Sequence, residues 1–263
     1  VDATRFLDMR RDSPDVWTFT VSEQLVTPGR FLFGGCGLAA GIVALEEASR
    51  RPTIWASAQY LSYATLGTEV QVSTELLVEG GHVTQARATA RVEEREILTV
   101  NAALGTGTLN APPTRLMPDV PAPEQCAKLE RPFDIDRSIF EHVDCRLATL
   151  RHDSEVDSPE AARLHAIWSR IPGHLEPSAA TLAIFGDFVA GGVSQLLGRP
   201  TRGRSLDNTI RMVTLEPTEW VLCEIRMHAL SGGFAQGTAF LWSRSGTLLA
   251  TASQSIAAMI HEP

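Results

Sequence analysis

Phe31-Leu32-Phe33-Gly34-Gly35-Cys36-Gly37-Leu38-Ala39-Ala40-Gly41-Ile42-Val43-Ala44-Leu45-Glu46-Glu47 decides the fold, because it is apolar on nearly every side of a helix several turns long. Such a helix belongs inside a core, not on a surface. The segment ends at Arg51-Pro52-Thr53, where proline supplies the stop. A second segment of the same kind, Leu182-Ala183-Ile184-Phe185-Gly186-Asp187-Phe188-Val189-Ala190-Gly191-Gly192-Val193-Ser194-Gln195-Leu196-Leu197, ends at Arg199-Pro200-Thr201. The two lie 148 residues apart (199 against 51), which marks an internal repeat.

Alternating apolar and polar runs follow each buried helix. In the first half they are Ile54–Tyr63, Glu69–Val78, Val83–Val92 and Ile97–Leu104; in the second, Ser205–Val213, Trp220–His228, Phe234–Trp242 and Thr247–Ala257. Gly67, Gly80-Gly81, Pro217, Gly232-Gly233 and Ser245-Gly246 separate them. Period-2 runs between such turns predict hairpins of an antiparallel meander. A strand precedes each helix: Val16–Val21 in the first half, and Phe140–Leu147 with Arg163–Arg170 in the second. The expected class is α+β, with two antiparallel sheets each wrapped on a long buried helix. The duplicated unit lets each sheet and helix bury a face that one copy would leave wet.

Between the halves, Pro112, Pro113, Pro118, Pro121, Pro123 and Pro132 make a Pro-rich linker. The expected division is residues 1–110, a linker over 111–132, and residues 133–263. The chain has 263 residues, 44% of them apolar and 21% charged, enough for a sizeable core. Its net charge of −8 is the wrong sign for a general nucleic-acid binder. The uncharged runs Phe31–Leu45 and Phe188–Gly198 fall short of the ~20 residues that cross a bilayer. Val1-Asp2-Ala3-Thr4-Arg5 shows no apolar signal-peptide region. Cys36, Cys126, Cys145 and Cys223 are widely spaced, so neither a disulfide framework nor a metal site is expected. The expectation is a reduced cytoplasmic protein without a cofactor.

Three stretches resemble the double-hotdog acyl-CoA thioesterases of the type II kind: Leu32-Phe33-Gly34-Gly35, Ser205-Leu206-Asp207-Asn208, and the run from Glu219-Trp220-Val221-Leu222 to Ser245-Gly246-Thr247-Leu248-Leu249-Ala250-Thr251-Ala252-Ser253-Gln254. The resemblance covers most of the chain outside the linker. It implies a double hotdog, hydrolysis of fatty acyl-CoA, and a homodimer. In that family an Asp, a Thr or Ser, and a Gln activate water. Carried across, the Asp is Asp207 and the Gln is Gln254, while the hydroxyl position falls on His228, a departure. Either the set is Asp207, His228 and Gln254, or Ser231 or Thr209 supplies the hydroxyl, or efficiency is reduced.

The expected register agrees with this grouping. With hairpins centred on Pro217-Thr218, Ser231-Gly232 and Arg244-Ser245, Asp207, His228, Ala235 and Gln254 form one row across four strands. Asp207 then serves as base or orients His228, Gln254 fixes the water, and the Gly34-Gly35-Cys36 turn offers backbone N–H groups to the carbonyl. The first half lacks these residues, so one site per chain is expected. Plainer readings stand beside these. Asp207 and His228 fit ordinary strand positions, and Cys36 fits a small buried residue. Asp187, a charge in an apolar helix, must find a partner; a structural hydrogen bond to helix ends is preferred over substrate contact. Arg202, Arg204 and Arg244 are candidates for CoA phosphates or plain surface arginines. Competing functions are a hotdog hydratase or dehydratase, for which Asp207 and His228 imitate the acid–histidine pair, and a non-catalytic acyl-CoA-binding protein.

Overall fold

The computed structural model describes residues 2–111, 114–131, 135–148, 164–173, 176–199 and 201–260. Pro112, Pro113, Pro132, Phe133, Arg163, Pro200 and the Arg202 side chain lie outside the described residues. After a short helix α1 (Ala3–Phe6) come β1 (Arg10–Ser13) and β2 (Val16–Thr20). The buried helix α2 (Gly34–Ser49) follows, then β3 (Thr53–Tyr60), β4 (Glu69–Glu79), β5 (Val83–Val92) and β6 (Arg95–Gly105). The second half holds β7 (Ala127–Lys128), α3 (Ile139–His142), β8 (Asp144–Ala148) and β9 (Leu164–Arg170). Its buried segment is α4 (Ala179–Gly186), a 3-10 stretch (Asp187–Gly191) and α5 (Gly192–Leu197). Then come β10 (Thr201–Ser205), β11 (Asp207–Met212), β12 (Val221–Ser231), β13 (Phe234–Ser243) and β14 (Leu248–Ile260).

The strands join in one 14-stranded sheet, ordered β1-β2-β4-β5-β6-β3-β11-β14-β13-β12-β9-β8-β7, with β10 beside β14. Each half repeats the same order: β2-β4-β5-β6-β3 is answered by β9-β12-β13-β14-β11. The halves meet at a seam where β3 pairs with β11, Asp207 opposite Gln59 and Ile210 opposite Ala56. The hairpins β4-β5-β6 and β12-β13-β14 form as the meander predicts, and the correction concerns its first strand. The strand after each helix does not turn back on its successor; it pairs with the last strand of its half and with its counterpart across the seam. Pairing β3 with β11 closes two edges that hairpins would leave open to solvent. Residues 213–220 therefore connect β11 to β12 across the sheet end and do not form a tight turn.

The expected four-residue row does not form. Gln254 stands opposite Gly237, and Gly237 opposite Met227. His228 is extruded at a bulge between Met227 and Ala229, and Ala235 faces Leu230 and Ile256. A second bulge lies between β10 and β11. Ser205 pairs with Ile256 and Thr209 with Ser253, so residues 206–208 stand opposite only 254 and 255. A bulge shifts the alternation of faces by one. Ser205 and Asn208 both turn inward as a result, although their numbers differ in parity. The Asp207 carboxylate accepts from the Ser255 N–H at 2.7 Å, a donor in the stretch where the bulge interrupts regular pairing.

Helices α2 and α4 cross closely inside the sheet. A Cβ on Gly35 would lie 2.8 Å from the Ile184 Cα, so glycine is what allows the contact. Val221, Cys223, Ile225 and Met227 face this core, as the alternation predicts. The opposite face of the second half-sheet carries a smaller apolar layer of Trp168, Trp220, Leu222 and Trp242, covered by Met117, Val120 and Cys126 of the linker. Trp168 Nε1 donates to the Pro121 carbonyl at 2.9 Å. Under this cover Glu224 is fully buried, accepting from Trp242 Nε1 at 3.0 Å and pairing with Arg226 and Arg115.

Candidate active site

Asp187 stands where α4 ends and the backbone tightens to 3-10 geometry. It is 4% exposed, and a buried carboxylate must be hydrogen-bonded. Its Oδ2 accepts from the Gly35 N–H at 2.8 Å. Phe33, at the N-cap of α2, offers no capping side chain, so the carboxylate of one half caps the helix of the other. Its Oδ1 accepts from Gln254 Nε2 and, at 3.4 Å, from Asn208 Nδ2. Gln254 Nε2 also donates to Ser205 Oγ at 3.2 Å, and its Oε1 accepts from the Ala190 N–H at 3.1 Å. Asp187, Ser205 and Gln254 thus converge at the first turn of α2.

Burial raises the Asp187 carboxyl from 3.8 to about 7, with hydrogen bonds from Gly35, Gln254 and Ser205 opposing the rise. A carboxyl poised near neutrality is what a general base needs. Burial, and then the Asp187 charge, push the Cys36 thiol up, which keeps it protonated and unreactive. Cys36 is a small core residue here, 0% exposed.

Of the residues expected in the site, the structure brings Gln254, Gly34 and Gly35 together. Gly35 N–H is already committed to Asp187. Gly34 N–H, at the first helical position, has no acceptor among the described residues. Asp207 lies outside the cluster, bonded to the Ser255 backbone. His228 is exposed, its Nε2 3.0 Å from Thr238 Oγ1, and does not meet Asp207. Ser231 is exposed at the end of β12, opposite Phe234, and Thr209 bonds Ser57 at 2.7 Å across the seam. Arg244 is held by Glu124 through two bonds of 2.7 and 2.9 Å. Arg204 is exposed on β10 next to Ser205, and Arg202 stands opposite Met259.

The sequence reading missed Ser205; for Asp187 it put a structural hydrogen bond to helix ends first, which the bond to Gly35 N–H is, and substrate contact second. The signal for Asp187 was present: a lone charge in an apolar helix. A regular strand over Ser205–Val213 puts Ser205 and Asp207 on one face and so does not separate them; the bulge at 206–208, which no local pattern reports, leaves Ser205 beside Gln254 and Asp207 on the Ser255 backbone.

Residues 22–106 match the acyl-CoA thioesterase N-terminal domain, and residues 123–258 match the acyl-CoA thioesterase C-terminal domain. Among solved structures, a Novosphingobium aromaticivorans protein provisionally assigned as a thioesterase is 30% identical, with 97% of this chain and 98% of that chain covered and a TM-score of 0.86. Acyl-CoA thioesterase II TesB2 from Mycobacterium marinum is 18% identical, with 99% of each chain covered and a TM-score of 0.78. A hot dog fold protein of unknown function from Alicyclobacillus acidocaldarius is 17% identical, with 99% of this chain and 98% of that chain covered and a TM-score of 0.82. No curated protein sequence matches. The chain is a double hotdog and a thioester hydrolase, and it belongs to the acyl-CoA thioesterase family.

Proposed function

We propose that the chain hydrolyses fatty acyl-CoA at the Asp187, Ser205 and Gln254 cluster. The observation that carries this is the convergence of a carboxyl near neutrality, a hydroxyl and an amide on the N-terminus of α2. Asp187 takes a proton from a water oriented by Ser205 and Gln254. The water oxygen bonds the thioester carbon while Gly34 N–H faces the carbonyl oxygen. The C–S bond then breaks, and CoA leaves as thiol with the proton from Asp187.

An apolar acyl group is supported by the aromatic wall beside the site. Phe33 lies 6.1 Å from Phe188 and 5.8 Å from Phe140 between ring centroids, and Phe185 lies 5.9 Å from Phe188. Arg202 and Arg204, beside Ser205 on β10, serve the CoA phosphates; Arg244, bound to Glu124, does not. The same reading places the chain in fatty acid metabolism as a homodimer in the cytoplasm, divided at 111–132. Four free, buried cysteines are compatible with a reducing compartment.

The test is CoA thiol release from a panel of acyl-CoAs, with Asp187→Asn and Asp207→Asn beside wild type. Loss of about 10²–10⁴-fold in the first variant alone is expected for a missing general base. Loss in the second alone returns the site to Asp207. Hydration of an enoyl-CoA with its thioester intact, or binding without turnover, replaces hydrolysis with one of the competing functions.

A further inference from the structure

Asn208 is fully buried on β11, turned inward by the bulge at 206–208. It stands opposite Ala58 of β3 across the seam. Tyr60, two residues beyond Ala58, is its diagonal neighbour on the same face. Asn208 Nδ2 donates to Asp187 Oδ1 at 3.4 Å. Its Oδ1 and the Tyr60 hydroxyl are buried and bond nothing else among the described residues, and the two side chains are hydrogen-bonded to one another. Chemistry fixes the direction of that bond. A carboxylate only accepts, so the amide turns its NH2 to Asp187 and its carbonyl oxygen to the phenol. Burial, and then the Asp187 charge, hold the phenol well above its ordinary range, so it stays a donor at every working pH. A chain of donors therefore runs from the first half to the base: Tyr60 hydroxyl to Asn208 Oδ1, and Asn208 Nδ2 to Asp187 Oδ1.

We propose that Asn208 is a positioning residue for the base: the Tyr60 hydroxyl fixes the amide, and the amide fixes the Asp187 carboxylate in the orientation that takes a proton from water. This rests on the reading of the cluster as a thioester hydrolase. Neither Asn208 nor Tyr60 touches the reacting atoms. Without the phenol the amide is free to turn over, and a half-turn sets its carbonyl oxygen against a carboxylate oxygen, which is repulsive. Of the titratable groups around the base, Cys36 of α2 and Tyr60 of β3 feel the Asp187 charge, and Asp207 of β11 acts on Tyr60. Cys36 and Tyr60 both keep their protons, and Asp207 is tied to the Ser255 N–H. The charged form of Asp187 is therefore held by hydrogen bonds, from Gly35, Gln254 and Ser205 and from Asn208, and Asn208 is the one of these that reaches across the seam to a side chain of the first half.

Asn208→Leu nearly keeps the volume and removes the donor. The acid limb of the kcat/KM profile is expected to move up by about one pH unit, because a lost donor disfavours the charged carboxylate. Tyr60→Phe frees the amide and moves the limb the same way by less. In the Asn208→Leu background Tyr60→Phe moves it no further, since the phenol acts only through the amide. Asn208→Ala is read in place of the leucine variant should that variant not fold. A second readout needs no turnover: protein labelled with ¹³C at the aspartate side-chain carboxyls, the Asp187 resonance assigned by its loss in Asp187→Asn. Its titration midpoint shifts as the limb does in each variant. A limb or midpoint that stays put in Asn208→Leu or in Tyr60→Phe overturns the proposal, even where turnover or Tm falls, since that fall then marks a structural role alone. Equal shifts by Tyr60→Phe in both backgrounds overturn it too, because the phenol then acts on Asp187 directly. Should wild type release no CoA, the hydrolase reading fails by itself, and the resonance still decides whether Asn208 holds the carboxylate.

Discussion

Asp187 is a carboxylate whose environment is apolar yet well supplied with donors, and two consequences of opposite kind follow at the scale of one residue. With a carboxyl near 7, kcat/KM should rise about tenfold per pH unit below neutrality and level off above it, as a pH–rate profile will record. Stability runs the other way. The folded state holds the proton more tightly than the unfolded chain, so stability is lost as pH rises from the ordinary carboxylate range to about 7 and is flat beyond. Thermal melts across that window should show the slope in wild type and a flatter line in Asp187→Asn. His228→Ala should keep turnover within about twofold, because its ring is exposed and its one side-chain bond among the described residues is to Thr238. Gln254 was legible as an amide among small residues. Asp207 and His228 drew attention by residue type and by the family pattern, and neither signal reports which way a strand turns after a bulge.

Elements were legible in their interiors and less so at their irregularities. The expected Val83–Val92 is β5 to the residue, and Ile97–Leu104 lies within β6. β1 and β7, exposed along their whole length, have no apolar alternation to reveal them. The second buried segment reads as one helix from composition, yet at 187–191 it narrows to 3-10, where Gln254 takes the Ala190 N–H. The bulge at 206–208 is the decisive irregularity. Asp207→Ala should cost about 1–3 kcal/mol in a denaturant melt by leaving Ser255 N–H without its acceptor, with turnover per folded molecule altered less than by Ser205→Ala.

The duplication was legible from two helices and two glycine-pair turns; its consequence, one continuous sheet, was not, since β3 and β11 are joined by pairing over a long separation that no local pattern encodes. The linker was expected as a spacer and is a second layer. Glu224 beneath it, paired with Arg115 of the linker and with Arg226, is the place to test this. Glu224→Ala should destabilise the protein by about 3–5 kcal/mol, because two guanidiniums and Trp242 Nε1 lose their shared acceptor. Melting curves will show the loss, while turnover per folded molecule stays close to wild type.

The capping of α2 by Asp187 joins the two halves of the site within a single polypeptide. Its consequence is genetic. In an enzyme assembled from separate identical subunits, two differently damaged copies can meet and restore one intact centre. With the proposed site, an Asp187→Asn allele and an allele damaged at the first turn of α2 each spoil the centre their own product contains. Expressed together from two genes, they should fail to complement, and an intact gene beside either should behave as fully dominant at half dosage.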